Sequence, residues 1–240
     1  MSLQGQLTAL VESVVAEAEA LRARLSDAQR ADIGQPDVWS AKDNVAHIAM
    51  WALRLADQLA AAAEGGPIRR HEEYEAENAL DFLAFRDWSW EKVLQLTARQ
   101  ARRLVGQISA RDDAALRATD APLCQDGRPL WRVIAGGGYV HPVSMHLTPL
   151  YIALGYPEAA TALAESAAAA LGELDDSPAW RGMLRYNLAC HRALLGERER
   201  ALADLRAALA LAPELAAHAQ SDADLASLRE DPAFLALVAG

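Results

Sequence analysis

Six histidines carry the most versatile chemistry in this chain of 240 residues: His47, His71, His141, His146, His191 and His218. Imidazole nitrogen is a ligand for zinc, nickel and iron. In a helical bundle such ligands must project inward from facing helices. His47 falls in the middle of one helical segment, and His141 and His146 fall together in another. Three histidines supplied by two helices would leave one coordination position open for water or a thiol, which is the arrangement of a catalytic metal site. The plainer reading of any one of them, a hydrogen-bonded core or surface residue, stands beside the metal reading. His71, His191 and His218 stand in polar or repeat-like surroundings and read as structural or solvent-facing.

Other chemistry is thinner. Trp51, Trp131 and Tyr139 are the candidates for shaping an apolar pocket beside the histidines, with Trp39, Trp88, Trp90 and Tyr151 also able to line it, although aromatics in a bundle also serve simply as core. Cys124 and Cys190 lie far apart and form no C-x-x-C pair. Cys124 is a conceivable ligand or nucleophile, but no neighbour in sequence would lower its pKa. The Gly136-Gly137-Gly138 run lacks the lysine and the preceding strand of a phosphate loop. No serine-histidine-acid set is evident, so no catalytic side chain beyond the metal candidates is identified.

The elements that must position these residues read as helices. Residues 3–30 form one amphipathic stripe through Leu3, Leu7, Leu10, Val14, Ala18, Leu21 and Leu25. A second helix runs from about Ala41 to Ala63, with Ser40 as N-cap and Asp43 in the capping-box position. Residues 68–81 are polar and acidic and read as a loop or frayed lead-in. A third helix then covers 82–108, and 109–128 form a long connection. The fourth helix begins near Arg128-Pro129 and runs to Gly155. Its three glycines, Pro142 and Pro149 predict a kink or break between 136 and 149. Further helices follow at about 157–172, 179–195, 197–211, 214–219, 222–229 and 232–238.

Two stretches resemble a known family. WSAKDNVAHIAMW is similar to the second-helix signature of the DinB/ClbS-DfsB superfamily of four-helix bundles, and PLWRVIAGGGYVHPVSMHL resembles its fourth helix. The resemblance covers roughly residues 3–155. It implies an up-down four-helix bundle in which His47, His141 and His146 hold a divalent metal. Members include thiol-dependent transferases and isomerases, and resistance proteins that hydrolyse a reactive cyclopropane. One departure matters. The family's histidine pair is commonly four residues apart, about 40° around a helix, whereas His141 and His146 are five apart, about 140° around. Either a π-bulge and Pro142 re-aim one of them, or the metal site is degraded and the cofactor is none. Asp43, Asp81 and Asp87 are the acids that could approach as replacement ligands.

Residues 182–213 resemble a tetratricopeptide repeat, a pair of antiparallel helices closed by a proline. Leu188 and Ala189 take the large-small contact of the first helix, and Gly196 takes the turn. Ala201, Leu205 and Ala208 take the contacts of the second helix, and Pro213 ends it. A weaker copy precedes it around Gly155, Ala160, Ala164 and Ala167, and the tail reads as a cap. The expected fold class is therefore all-α, with a DinB-like bundle at 1–155 and tetratricopeptide-like hairpins at 156–240.

Composition bounds the function. Apolar residues make up 52%, dominated by alanine and leucine, and the net charge is −10. That balance argues against nucleic acid as a partner. No long uncharged apolar run predicts a membrane span, and the first residues lack a signal-peptide pattern, so the expected location is the cytoplasm. Two functions are expected in competition. One is a metal-dependent hydrolase or thiol-dependent transferase that uses zinc, nickel or iron on a small electrophile. The other is a non-catalytic scaffold whose 156–240 region binds a protein or peptide. Homodimerisation through helix faces is compatible with either.

Overall fold

Several helices in this chain start where capping side chains stand. In the computed structural model, which describes residues 1–36, 38–69, 73–124 and 127–239, the side chains of Ser2, Ser26, Ser40, Ser89 and Asp112 each accept a backbone N–H from the first turn that follows. All regular structure among the described residues is helical. The elements are α1 (Leu3–Arg24), α2 (Asp27–Ala31), α3 (Ala41–Ala63), α4 (Tyr74–Phe85), α5 (Trp90–Ser109), α6 (Asp113–Arg117) and α7 (Leu130–Ala135). A π-helical segment (Gly136–Leu147) leads into α8 (Thr148–Ala153). Then come α9 (Pro157–Gly172), α10 (Pro178–Leu194), α11 (Arg198–Leu211), α12 (Leu215–Ala219), a 3-10 turn (Ala223–Leu228) and α13 (Pro232–Val238). No described helix is long and apolar enough to cross a membrane. His71 lies outside the described residues.

The chain divides into two compact units, Met1–Leu150 and Tyr151–Gly240. In the first, four helical segments close a ring of contacts. α1 packs on α5, α5 on α3, α3 on the π segment, and the π segment and α7 on α1. The apolar stripes meet in the middle: Leu7 and Leu21 of α1, Val45 and Leu59 of α3, Val93 and Leu104 of α5, and Ile134 of α7 are buried. Each such side chain contributes about 1.5–3 kcal/mol through burial.

Three expectations are corrected here. The stripe at 3–30 is not one helix. Leu25 turns extended, and Ser26 opens a new capping box with Gln29 that starts α2. The third helix does not run unbroken from 82, and 74–85 is itself a helix. Two of its acids face inward, because Glu77 and Asp81 both pair with Arg54 of α3 at 3.1 and 2.7 Å. The turn after it is pinned by Lys42 Nζ, which donates to the Arg86 and Trp88 carbonyls at 2.8 Å each, before Ser89 caps α5. Finally, 136–147 contains no break. It is a continuous run of turns closed by i→i+5 hydrogen bonds, with Pro142 inside it.

In the second unit α10 and α11 form a hairpin around Gly196, whose φ of 75° is the left-handed conformation that glycine tolerates. Ala189, Ala201, Leu205 and Ala208 are fully buried between them. At Gly182 of α10 a Cβ would lie 2.6 Å from Ala212 Cβ at the end of α11, so glycine is what lets the two approach there. The 3-10 turn packs on α10 and α13 on α11, burying Leu225, Leu228 and Phe234.

Candidate metal centre

α3 carries one half of the site. Its start is rigid: Asp43 Oδ2 accepts from the Ser40 N–H at 2.9 Å, the Ser40 hydroxyl at 2.6 Å and the Gly34 N–H at 3.1 Å. One turn further on, His47 is buried on the face turned to the π segment. Trp51 follows at the next turn and Arg54 at the one after, the spacing that keeps residues on one side of a helix.

The π segment carries the other half. Regular α-geometry would separate His141 and His146 by about 140°. A turn closed by i→i+5 bonds instead brings residues five apart back to one face. The glycines make this register possible. A Cβ on Gly137 would sit 3.1 Å from Leu55 Cδ2, and one on Gly138 would sit 3.1 Å from Leu104 Cδ2 and 3.2 Å from Val11 Cγ2. Their absence lets the wider helix lie close against its neighbours while both histidines turn toward α3.

The three rings converge through one nitrogen each. His141 Nε2 is 3.4 Å from His47 Nε2 and 3.1 Å from His146 Nε2. One nitrogen from each ring falls within 4.8 Å of the others. His146 Nδ1 lies 3.2 Å from Asn44 Oδ1. Burial pushes the pKa of His47 down to about 2, helped by His146, His141 and Arg54. Burial and then His141 bring His146 to about 4, and burial lowers His141 as well. All three imidazoles are therefore neutral at pH 7, the form that ligates metal.

Two indoles flank the triad. The Trp39 ring is 4.6 Å from His47 and lies nearly parallel to His146 at 6.3 Å, and its Nε1 donates to the Pro36 carbonyl. The Trp51 ring lies 6.0 Å from His47 and 5.7 Å from His141, and its Nε1 donates to Asn78 Oδ1. The Arg54 guanidinium covers Trp51 at 5.0 Å and is held from the other side by Glu77 and Asp81.

The remaining candidates are placed elsewhere. Tyr139 is buried and hydrogen-bonded to Ser13 of α1, near Glu17. Trp131 is buried under the Arg132 guanidinium, 5.3 Å from its ring. Asp43 is committed to the capping box, Asp81 to Arg54, and Asp87 stands exposed beside Arg86. The Cys124 thiol donates to the Ala118 carbonyl, and burial raises its pKa. His191 is buried in α10, and His218 is exposed with Nε2 3.4 Å from Asp222. Sequence reasoning overlooked Asn44, although it stands three residues before His47, one turn away on the same helix. It also overlooked a second group, Cys190, Asp222 and Asp224, which tertiary folding alone brings together.

The donor set suits particular ions. Three neutral imidazoles match zinc, nickel or iron rather than the all-oxygen shells of calcium and magnesium. Bonds of about 2.0–2.1 Å in tetrahedral geometry put ligand nitrogens about 3.3 Å apart. Compared with known protein families, with curated proteins and with solved structures, the chain has no significant match.

Proposed function

We propose that His47, His141 and His146 hold a divalent metal and that the chain is a DinB-like hydrolase or thiol-dependent transferase acting on a small electrophile. The observation that carries this reading is the convergence of the Nε2 atoms at 3.1 and 3.4 Å, close to the edge of a tetrahedral site. The ring of four helical segments is the arrangement expected for that family's bundle. When bound, the ion supplies Lewis acidity toward a water or thiol at the position that three protein ligands leave open. Trp39 and Trp51, whose rings flank the triad, would give that position apolar walls that exclude bulk water and suit an apolar substrate. Arg54 holds the Trp51 indole in place through its own clamp to Glu77 and Asp81.

Metal analysis of the purified protein tests the reading. One equivalent of zinc, nickel or iron is expected in the wild type, and none in His47→Ala. A wild type that takes up no metal on titration sinks it. A second reading draws on the other unit, where Leu184, Leu188, Arg181 and Arg185 line a groove of about 660 Å³. A peptide partner seated there would make the chain a scaffold, and that reading gains if the metal titration fails.

A further inference from the structure

Among the three candidate ligands, His146 is set apart by its second ring nitrogen. His47 Nδ1 and His141 Nδ1 are buried with no hydrogen-bond partner among the described residues. His146 Nδ1, in contrast, faces Asn44 Oδ1 at 3.2 Å. The other end of the Asn44 amide decides which of its atoms faces the ring. Asn44 Nδ2 donates to the Ser40 carbonyl at 3.0 Å. Reversing the amide would press its oxygen against that carbonyl, two acceptors with no proton between them. Ser40 cannot drift to relieve this, because Asp43 holds it through both its N–H and its hydroxyl. An amide oxygen only accepts, so the proton sits on His146 Nδ1. A neutral imidazole carries one proton, and His146 Nε2 is therefore bare where it meets His141 Nε2.

We propose that Asn44 is a positioning residue of the metal centre. It accepts the His146 Nδ1–H and so holds that ring in the tautomer and rotation that present a bare Nε2 to the ion. The proposal rests on the metal reading above. An outer partner of this kind orients the ligand and raises its basicity, and losing one typically costs 10–100-fold in metal affinity. Here the effect falls on a single residue, since His47 and His141 have no comparable protein partner. Asn44 also links the capped start of α3 to the π segment, so the two halves of the site are registered by one amide.

The test uses the full-length protein, with zinc titrated against a competing chelator. It also uses nitrogen-15 NMR of the imidazoles after chelator treatment. Asn44→Ala is expected to bind zinc 10–100-fold more weakly than wild type. Asn44→Asp keeps an acceptor toward His146 but sets its second oxygen against the Ser40 carbonyl, so it is expected to recover only part of that loss. In the chelator-treated wild type, His146 is expected to show a protonated Nδ1 and a bare Nε2, and Asn44→Ala is expected to show a mixture. Unchanged zinc affinity in Asn44→Ala overturns the proposal. So does a weakly binding Asn44→Ala whose His146 keeps the wild-type tautomer, which assigns the effect to packing at the start of α3. A wild-type His146 protonated on Nε2 overturns it independently. Failure of the wild type to bind any divalent ion defeats the metal reading instead, and the tautomer measurement then decides the Asn44 assignment alone.

Discussion

Replacing single glycines of the π segment by alanine separates the contact that shapes the site from ordinary helix propensity. Alanine is favoured over glycine in a helix by about 0.8–1 kcal/mol. At Gly136 a Cβ would meet nothing within 4 Å, so Gly136→Ala should gain that amount. At Gly138 the same gain is opposed. The new Cβ would lie 3.1 Å from Leu104 Cδ2 and 3.2 Å from Val11 Cγ2. Both neighbours are buried, at 0% and 3% exposure, so neither can swing into solvent. Overpacking of this kind costs about 1–3 kcal/mol. Gly138→Ala is therefore expected to lie between neutral and about 2 kcal/mol less stable than wild type. The difference between the two variants cancels propensity and leaves the overpacking cost, about 1–3 kcal/mol, or roughly 2–4 °C in Tm per kcal/mol for a chain of this size. Paired thermal and urea unfolding measures it, and zinc affinity in the same samples should fall in Gly138→Ala alone, because the displaced turn carries His141. If Gly138→Ala is as stable as Gly136→Ala, the glycines are not there for close packing and the account of the π register is wrong.

Two further outcomes follow from the same geometry. The depressed pKa values of His47 and His146 make stability of the chelator-treated protein pH-dependent in one direction. Above pH 6.5 both states are neutral and stability is full, whereas below it the unfolded chain takes up protons that the folded one refuses. Stability is thus lost as pH falls from 6.5 toward the folded value of about 4 for His146, at up to about 1.4 kcal/mol per pH unit per histidine. Unfolding midpoints between pH 8 and pH 5 should show the decline, a His47→Ala/His146→Ala double variant should reduce its slope while buried His141 and His191 keep part of it, and a flat wild-type profile would contradict the burial argument. In the second unit, Gly182→Ala would drive a Cβ to 2.6 Å from Ala212 Cβ and 3.1 Å from the Ala208 carbonyl. Because the clash is with a rigid Cβ and backbone, its cost lies toward the upper end of about 1–3 kcal/mol. Net of about 1 kcal/mol of helix propensity, the unit should unfold about 2 kcal/mol more easily, and an unchanged midpoint would mean that α10 and α11 are not held at this separation.

Much of the fold was legible because it is locally encoded. The apolar period, the Ser40–Asp43 capping box and the Gly65-Gly66-Pro67 stop marked α3 as Ala41–Ala63 from sequence alone. Gly196 and the alanines around it marked the α10–α11 hairpin. The misjudged places depend on partners distant in sequence. Glu77 and Asp81 look solvent-facing until Arg54, more than twenty residues earlier, is seen to take both, and only then does α4 make sense as a helix against α3. Tyr139 is adjacent in sequence to the candidate ligands, yet its hydroxyl goes to Ser13 on another helix. Side-chain direction on a π segment does not follow the 100° step that sequence reading assumes.

The five-residue spacing of His141 and His146 shows what was missing. Counted on an α-helix, it argues against a shared site, because one of the two imidazoles would face away from α3. The residues that overturn this count were in view: three glycines, then a proline with no N–H to donate. On an α-helical count they predict a break, because there a proline without a donor and glycines without side chains only weaken, and the alternative left open, a π-bulge with Pro142, needs packing to hold it. Packing reverses the sign. Leu55, Leu104 and Val11 stand where Cβ atoms would be, so glycine is what fits, and the wider turn is held by contacts rather than by propensity. The same substitution pattern thus builds the register that aims both rings at His47. The identity of the ligands could be read from residue types, but whether they meet depended on helix type, and helix type here is decided by tertiary contact.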